Sequence, residues 1–403
     1  MKVKILLLVA LVVTGMSLQS QNYNNLSGQS DGINVITTAV PFLMIGPDAR
    51  AGGMGDGGAA SSGDLFSQHW NSAKYAFYEH KQGFGISYTP WLRNLVPDIN
   101  MAYVTYANRI DKMNAIAFSM RYFSLGEIQF TDETGTSLGY FKPNEFAFDA
   151  SYARRLSDFL SLSVAGRFIY SNLTQGQTVQ GVETTAGIAI AADIGLYWQK
   201  EVNWFKTIDA EFAWGILLSN IGNKISYTES NIQQDFIPTN LRVGPRLTLF
   251  IDDYNKISFQ FDVNKLQVPT PPIYARDSTG NPIPIPGSDK YEIESGMDPD
   301  VPPIRGMIQS WYDAPGGFSE ELREFNFSIG TEYWYNNIFS VRAGYFWEDA
   351  SKGNRKYVTL GVGLRYNVFG LDFSYLIPTT GLQNPLQNTL RFALVFNFGE
   401  APK

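Results

Sequence analysis

The sequence offers two kinds of candidate for catalysis or ligand binding. They are its two histidines and one glycine-rich run. His69 and His80 could bind a metal or act as a catalytic base beside a serine, but their separation of 11 residues is not a standard ligand spacing. The chain has no cysteine, which excludes disulfides, thiolate metal sites and cysteine nucleophiles. We therefore expect no enzymatic activity, no metal site and no cofactor. A catalytic barrel built on either histidine is the third alternative.

The glycine-rich run between Gly52 and Gly58 could cradle a phosphate group, because glycines let backbone amides approach an anion. It lacks the preceding strand and the Lys-Ser/Thr pair that nucleotide-binding loops carry. A close-packed turn inside a plug explains the same composition, and this structural interpretation is the one we favour.

The elements that must position these residues are strands. From about residue 83 to residue 398, apolar and polar side chains alternate in segments that turn residues separate. In the last segment Phe392, Leu394 and Phe396 alternate with polar or small residues. Successive side chains of a strand point to opposite faces, so this pattern indicates a sheet with one apolar face. The segments span about 83–90, 99–110, 112–124, 143–156, 158–172, 184–199, 208–221, 240–252, 254–267, 322–336, 337–349, 354–369, 370–378 and 388–398.

The connections between these segments alternate in length. Short turns, such as 110–112 and 252–253, follow most even segments, whereas longer loops follow the odd ones. Short periplasmic turns, long external loops and an even number of strands are typical of bacterial outer-membrane barrels. The sequence therefore predicts an all-β protein, a transmembrane antiparallel β-barrel of about 14 strands in the outer membrane of a Gram-negative bacterium.

Three parts are expected along the chain. Residues 1–20 have a signal peptide pattern, with Lys2 and Lys4 before a short apolar run, and the alternative is an uncleaved N-terminal anchor. Residues 21–80 are rich in glycine without alternation and are predicted to form a plug or periplasmic segment. Residues 81–403 are predicted to form the barrel, in which no histidine falls on a strand.

Charged residues follow the polar face of the strands. An arginine facing lipid at mid-bilayer would cost roughly 2–4 kcal/mol, so these residues should face the lumen. They could line a solute pathway or form an ion-pair network, and the bulky inward residues Phe250, Trp334 and Phe346 favour the network. The candidate network comprises Asp149, Arg167, Asp193, Arg242, Arg246, Asp262, Glu332, Arg342 and Arg365.

One loop, 268–321, holds 10 of the 20 prolines and is predicted to be extracellular and outside the barrel wall. Its aromatic residues suit protein recognition, and a solvent-exposed cap is the alternative. The residues proposed for partner contact are Tyr274, Tyr291, Trp311 and Tyr312. A net charge of −7 without a basic cluster argues against nucleic-acid binding.

The N-terminal stretch resembles a known family. The block 49–58, Ala-Arg-Ala-Gly-Gly-Met-Gly-Asp-Gly-Gly, followed by Trp-Asn-Ser-Ala at 70–73, is similar to the plug region of the FadL-like barrels and most similar to their PorV-type branch. Ser72 stands where the FadL-like pattern has proline. The residues of this plug motif are Arg50, Gly53, Met54, Gly55, Asp56, Asp64, Trp70 and Asn71.

The resemblance implies a 14-stranded barrel that acts in type IX protein secretion. PorV-type proteins bind cargo that carries a C-terminal signal domain at a large outer-membrane translocon barrel. They pass it to a surface attachment complex that contains the sortase PorU. The resemblance therefore implies translocon, cargo, attachment complex and outer-membrane lipids as partners. The alternative is a FadL-like transporter of hydrophobic small molecules.

Overall fold

The computed structural model describes residues 33–402 except 93–95, 97, 132–135, 180–181, 229–233, 289, 381–385 and 387–388. The expected signal peptide, its cleavage site and the first part of the expected plug segment lie outside the described residues. Within the described ranges, no helix is long and apolar enough to cross a membrane.

Fourteen strands form one closed antiparallel barrel, in which each strand pairs with its neighbours in sequence. The last strand pairs with the first, for example Phe396 with Phe84, and closes the wall. Closure leaves no unpaired edge, as a lipid environment requires. The strands are β1 His80–Pro90, β2 Asn100–Arg109, β3 Asn114–Ser124, β4 Asn144–Arg155, β5 Leu160–Asn172, β6 Gly187–Val202, β7 Asp209–Gly222, β8 Asn240–Phe250, β9 Asn255–Leu266, β10 Phe325–Tyr335, β11 Phe339–Trp347, β12 Lys356–Tyr366, β13 Phe369–Pro378 and β14 Thr389–Glu400. The predicted fold class and strand number are confirmed.

The alternation of the sequence becomes the alternation of burial in the wall. In β12, Leu360 on the outer face is 49% exposed, whereas Thr359 beside it is buried. In β14, Phe392 faces outward and Arg391 faces inward. The outer face is therefore apolar and suited to lipid, while small and charged side chains point into the barrel.

Several strand boundaries differ from the sequence prediction. β1 begins at His80, so one histidine does lie on a strand and the wall begins one residue before the expected boundary. β6 continues to Val202, because Lys200, Glu201 and Val202 still pair with β7. β10 begins only at Phe325, because the helical turns Phe318–Glu321 and Leu322–Glu324 precede it.

The connections alternate in length as predicted. The turns after β2, β4, β8, β10 and β12 are short, whereas the long connections lie at the opposite end. Three long connections contain a small hairpin outside the wall, and the longest also contains a helix. The hairpins pair Ile128–Thr131 with Ser137–Phe141, Thr178–Val179 with Val182–Glu183, and Ile273–Tyr274 with Ile293–Ser295; the helix is Pro303–Gln309.

The chain that precedes β1 packs against the inner face of the wall. Its elements are short: a 3₁₀ turn Pro41–Met44, helical turns Ala49–Gly52 and Ser67–Trp70, and a 3₁₀ helix Ser72–Phe77. Nearly all of residues 39–78 are buried, including charged side chains. We call residues 34–79 the inner segment. Its contacts define the candidate functional site.

Candidate functional site

A buried aspartate organises the start of the glycine-rich block. Asp48 caps the turn Ala49–Gly52, where its carboxylate accepts a hydrogen bond from the Ala51 amide at 2.9 Å. Its other oxygen accepts a hydrogen bond from the Trp70 indole at 2.5 Å. This contact joins the two halves of the motif, which are 22 residues apart. Burial is the main cause that raises the pKa of Asp48 to about 6.

Arg50 attaches the inner segment to the wall. Its guanidinium donates to both carboxylate oxygens of Glu332 in β10, at 2.9 and 2.7 Å. It also donates to Asp64 at 2.8 Å. A bidentate arginine–carboxylate pair fixes direction as well as distance. Arg50 therefore orients the inner segment relative to β10, and its bond to Asp64 holds the later part of the segment beside it.

The glycines of the block lie where backbone meets backbone. Gly55 has a φ of 72°, and a Cβ atom there would lie 2.7 Å from the Tyr345 carbonyl oxygen and 2.9 Å from that of Ile329. The Gly55 amide donates to the Thr359 hydroxyl at 2.9 Å. Only glycine combines this backbone conformation with such a close approach to the wall. Gly53 and Met54 are buried in the same turn, where Met54 lies against Gly330.

The end of the block is tied to separate strands of the wall. Asp56 accepts hydrogen bonds from Arg391 in β14 and from the Tyr357 hydroxyl, the latter at 2.6 Å. The Gly58 and Ala59 amides both donate to one carboxylate oxygen of Asp262 in β9, at 2.6 and 2.8 Å. The block therefore contains an anion-binding pair of amides, but a wall carboxylate occupies it rather than a phosphate group.

Asn71 closes the motif. Its side chain accepts from the Ala73 amide at 3.1 Å and donates to the carbonyls of Ala59 at 3.1 Å and Leu196 at 2.9 Å. The neighbouring Lys74 is fully buried and donates to the Gly58 carbonyl at 2.9 Å. Burial lowers the pKa of Lys74 to about 8.

The nine residues proposed as one lumen network fall into separate groups. Arg342 joins Glu332 at 2.7 Å to Asp372 at 2.8 Å, and Arg365 binds the same Asp372 at 2.7 Å. The first group is therefore a chain of alternating charge that also includes Arg50. Arg365, at its end, is half-buried.

The second group is a buried triad. Arg167 in β5 lies between Asp149 in β4 and Asp193 in β6, and pairs with Asp193 at 2.9 Å. Arg246 forms a third group with Glu211. Asp262 and Arg242 belong to none of these groups, since no salt bridge to either occurs among the residues that the structure describes.

Arg242 borders a cavity of about 300 Å³ inside the barrel, on the side of the long loops. Its Nε donates to Asn264 at 2.7 Å, and its guanidinium lies 4.3 Å from the Trp70 ring centre. Among the described residues, one of its terminal nitrogens is buried and has no hydrogen-bond partner. Apolar side chains such as Phe346 and Met44 line the same cavity.

Some contacts were missed from the sequence. Arg121 in β3 donates to the Phe42 and Leu43 carbonyls at 3.0 and 2.9 Å, and Arg391 binds Asp56. Both arginines lie on inward positions of their strands, so the same alternation could have identified them. Phe250, expected to fill the lumen, is instead 39% exposed, because it ends β8 beside a short turn.

The histidines have no catalytic surroundings in the described part of the chain. His69 contacts Arg121 at 2.8 Å, and burial together with this guanidinium lowers the pKa of His69 well below its usual value. His80 packs its ring against Tyr78. Among the described residues, neither bonds to a serine or a carboxylate, and no group of three potential metal ligands occurs.

The four aromatic residues of the long loop lie in two places. Tyr274 and Tyr291 pack edge to face across the hairpin, with ring centres 5.9 Å apart. Trp311 and Tyr312 follow the helix Pro303–Gln309 and are exposed. Trp311 donates to Gln267 at 2.7 Å, so it is attached to the rim of the barrel. The four residues therefore do not form one cluster.

Comparisons with known proteins identify the family. Residues 28–273 match the family model described as "Type IX secretion system protein PorV". The chain belongs to the PorV family. A PorV-family chain is an outer-membrane β-barrel component of type IX secretion, which agrees with the resemblance seen in the glycine-rich block. A sequence comparison with curated proteins finds no match.

Several solved structures share the barrel shape at low identity. The monoaromatic hydrocarbon channel CymD is 13% identical, with 88% of this chain and 98% of that chain covered and a TM-score of 0.46. The toluene transporter TodX of Pseudomonas putida is 11% identical, with 88% and 99% covered and a TM-score of 0.47. The toluene transporter TbuX of Ralstonia pickettii is 12% identical, with 88% and 98% covered and a TM-score of 0.43.

Proposed function

We propose that this chain is the cargo-binding shuttle of type IX secretion. It binds cargo that carries a C-terminal signal domain at the large translocon barrel and passes it to the attachment complex that contains the sortase PorU. The observation that carries the proposal is the match of residues 28–273 to the PorV family. Its role is binding without catalysis.

The interior of the barrel supports binding rather than conduction. The inner segment crosses the lumen and is held by buried pairs such as Arg50–Glu332 and Arg391–Asp56. Buried charges are costly without their partners, so these pairs favour an inner segment that stays in the lumen. We therefore expect cargo to meet the outer surfaces of the barrel.

The proposal assigns a role to each part of the chain. Residues 1–20 direct export, residues 21–80 plug the barrel, and the loops 268–321 and 222–239 contact cargo or translocon. Tyr274 and the exposed Tyr291, which pack together on the hairpin, are the contact residues of the longest loop. Exposed aromatic residues are frequent among the residues that dominate binding energy.

The first experiment is purification of the tagged protein from its native outer membrane in mild detergent, followed by mass spectrometry of the proteins that accompany it. We expect a very large barrel protein, secreted proteins with a common C-terminal domain and a sortase-like protease. A deletion strain should retain cargo that carries the signal domain inside the cell. Normal secretion of that cargo by the deletion strain would contradict the proposal.

The second candidate function is transport of hydrophobic small molecules. The cavity of about 300 Å³ favours it, because Phe346 and Met44 provide an apolar lining beside the unpaired guanidinium nitrogen of Arg242. An amphiphile with an anionic group would match this lining. Recovery of the barrel alone with a bound lipid or fatty acid, together with an uptake defect in the deletion strain, would favour transport over cargo binding.

A further inference from the structure

The last part of the long loop has an apolar surface that the barrel does not cover. Ile304 is 60% exposed and Phe318 is 76% exposed, although both belong to helical turns that pack against the rim. We call this surface the rim face. It consists of the exposed side chains of Ile304, Ile308, Trp311, Tyr312, Phe318 and Leu322.

Helical geometry places the first two of these side chains on one side. Ile304 and Ile308 are four residues apart in the helix Pro303–Gln309 and therefore lie on the same face. The opposite face carries Gly306, which packs closely on Phe236, and Gln309, which donates to the Asp298 carbonyl at 2.9 Å. One side of the helix is thus fixed to this loop and to the connection between β7 and β8, and the apolar side is left exposed.

The rim face continues the lipid-facing surface of the wall. Trp311 packs edge to face on Phe325, with ring centres 6.1 Å apart. Phe325 begins β10, where it lies on the same outward side as Phe327 and Ile329. Ile329 is 56% exposed on that side. The apolar surface therefore extends from the strand onto the loop at the end of the barrel that carries the long connections.

Within residues 303–324 the charges are sorted by sign. The acidic side chains turn towards the barrel rim, where Glu321 and Glu324 pair with Lys265, at 3.2 and 2.5 Å. The basic side chains of Arg305 and Arg323 are exposed instead. Neither has an ion-pair partner among the residues that the structure describes. The surface that faces away from the rim is therefore apolar and basic.

We infer that the rim face is a membrane-interface anchor that inserts its apolar side chains into the outer leaflet and binds the phosphate-bearing headgroups of the lipids there. Tryptophan and tyrosine favour the boundary between hydrocarbon and water, where their rings are apolar and their polar atoms stay hydrated. Exposed arginines attract anionic headgroups and bind phosphate through paired N–H donors. Lipid also accounts for the continuity with the β10 surface, which a partner confined to the aqueous side would not require.

The anchor has a consequence for the loop. The helix Pro303–Gln309 and the hairpin Ile273–Tyr274 with Ile293–Ser295 belong to the same connection between β9 and β10. Insertion of the rim face fixes one end of that connection at the membrane surface and leaves the hairpin in water. This inference concerns lipid alone and does not depend on the cargo-binding role.

A single introduced cysteine tests the inference directly, because the chain has no cysteine of its own. The Ile308→Cys variant of the full chain is labelled with an environment-sensitive nitrobenzoxadiazole dye and reconstituted in vesicles that contain phosphatidylcholine and phosphatidylglycerol. We expect a blue-shifted emission and strong quenching by lipids with spin-labelled acyl chains. Ser278→Cys on the hairpin turn is the matched control, and its label should keep aqueous emission without quenching.

The two arginines test the headgroup contact. In Arg305→Gln/Arg323→Gln, the quenching at the labelled position 308 should become equal in vesicles of pure phosphatidylcholine and in vesicles with phosphatidylglycerol. The unsubstituted arginines should give stronger quenching with phosphatidylglycerol. Arg276→Gln removes an exposed arginine from the hairpin of the same loop and should leave that preference unchanged. An equal response of all three proteins would overturn the headgroup part of the inference.

Cross-linking in the native outer membrane distinguishes lipid from a protein occupant. A benzophenone attached to Ile308→Cys should form adducts with lipid when it is irradiated in intact membranes. An adduct with another protein, combined with aqueous emission of the dye in vesicles, would show that the rim face is a protein-docking surface and would overturn the anchor.

Discussion

Neither the inner segment nor the long loop between β9 and β10 is part of the barrel wall. They differ in which side chains they bury and which they expose. The inner segment buries charged side chains, among them Arg50 and Lys74, and gives them partners. The last part of the long connection buries Glu321 and Glu324 at the rim and exposes large apolar groups such as Phe318. One segment therefore has charged side chains in its interior, whereas the other has apolar side chains on its surface.

The difference follows from what surrounds each segment. The wall encloses the inner segment on all sides, so each of its polar groups must find a partner or cost free energy. The rim covers only one side of the loop, so the other side meets whatever lies outside the barrel. Hydrogen bonds to the wall therefore fix the conformation of the enclosed segment. The exposed side of the loop instead matches the solvent or lipid that surrounds it.

Removal of a wall carboxylate should have the largest effect on the enclosed side of this comparison. Glu332→Gln removes the negative charge that the buried guanidiniums of Arg50 and Arg342 share, so we expect a loss of about 3–5 kcal/mol in the free energy of unfolding. Urea unfolding in lipid vesicles, followed by tryptophan fluorescence, measures it. The exposed Glu292→Gln on the long loop is the control. Equal stability of the two variants would show that the buried pairs do not hold the inner segment.

Substitution of one glycine should separate backbone strain from close packing. Gly55→Ala and Gly176→Ala both place a side chain at a positive φ, of 72° and 77°, which costs about 1–2 kcal/mol. Only at position 55 would the new Cβ atom also meet the backbone of the wall, because Gly176 has open space around it. We expect a larger loss of stability for Gly55→Ala, together with protease cleavage within residues 34–79. Equal losses of stability in the two variants would mean that Gly55 is needed only for its positive φ and not for close packing on the wall.

A loop carboxyl should make the long loop sensitive to pH. Burial, with Glu321 and Glu324 nearby, raises the pKa of Asp313 to about 6 from 3.8. A raised pKa means that Asp313 stabilises the loop at low pH and that this contribution is lost as the pH rises through about 6. Proteolysis of the loop should therefore quicken between about pH 4 and about pH 7, and Asp313→Asn should remove this dependence. The same pH profile in both proteins would contradict the assignment.

The exposed aromatic residues should have the smallest effect on stability. Tyr291→Ala removes a side chain that is 45% exposed on the hairpin, so we expect a loss of only about 0.5 kcal/mol in the free energy of unfolding. If this residue contacts a partner, co-purification or cargo secretion should fall while the amount of barrel in the membrane stays constant. If the variant instead loses stability and still binds its partners, this residue has a structural role and does not contact a partner.

Local patterns in the sequence predicted most of the wall. Alternation at residues 357–366 predicted both the strand and its outward face, since a strand reverses its side-chain direction at each residue. Turn residues such as Asp252 and Asp253 marked the short connections, because their side chains hydrogen-bond the nearby backbone, as Asp252 does to the Tyr254 amide at 2.9 Å. These signals depend only on near neighbours along the chain.

The partners of the inward charges could not be predicted in this way. Alternation placed Arg242, Asp262 and Arg246 on one face of two strands, but it assigned Arg242 and Asp262 to a common ion-pair network. In the structure Asp262 binds the amides of Gly58 and Ala59, which are 204 and 203 residues away. Local sequence patterns cannot predict contacts between residues that are so far apart in the chain.

The sequence by itself determined the closed wall, its two faces, the asymmetry of its connections and the family motif, because repeated local alternation and turn chemistry specify them. Only the tertiary structure decided which wall residues the motif meets, that one Arg242 nitrogen beside the cavity has no hydrogen-bond partner in the described part of the chain, and that the loop turns its apolar side away from the rim. Those features depend on which strands face one another across the barrel, and closure of the wall, rather than any single segment, brings them together.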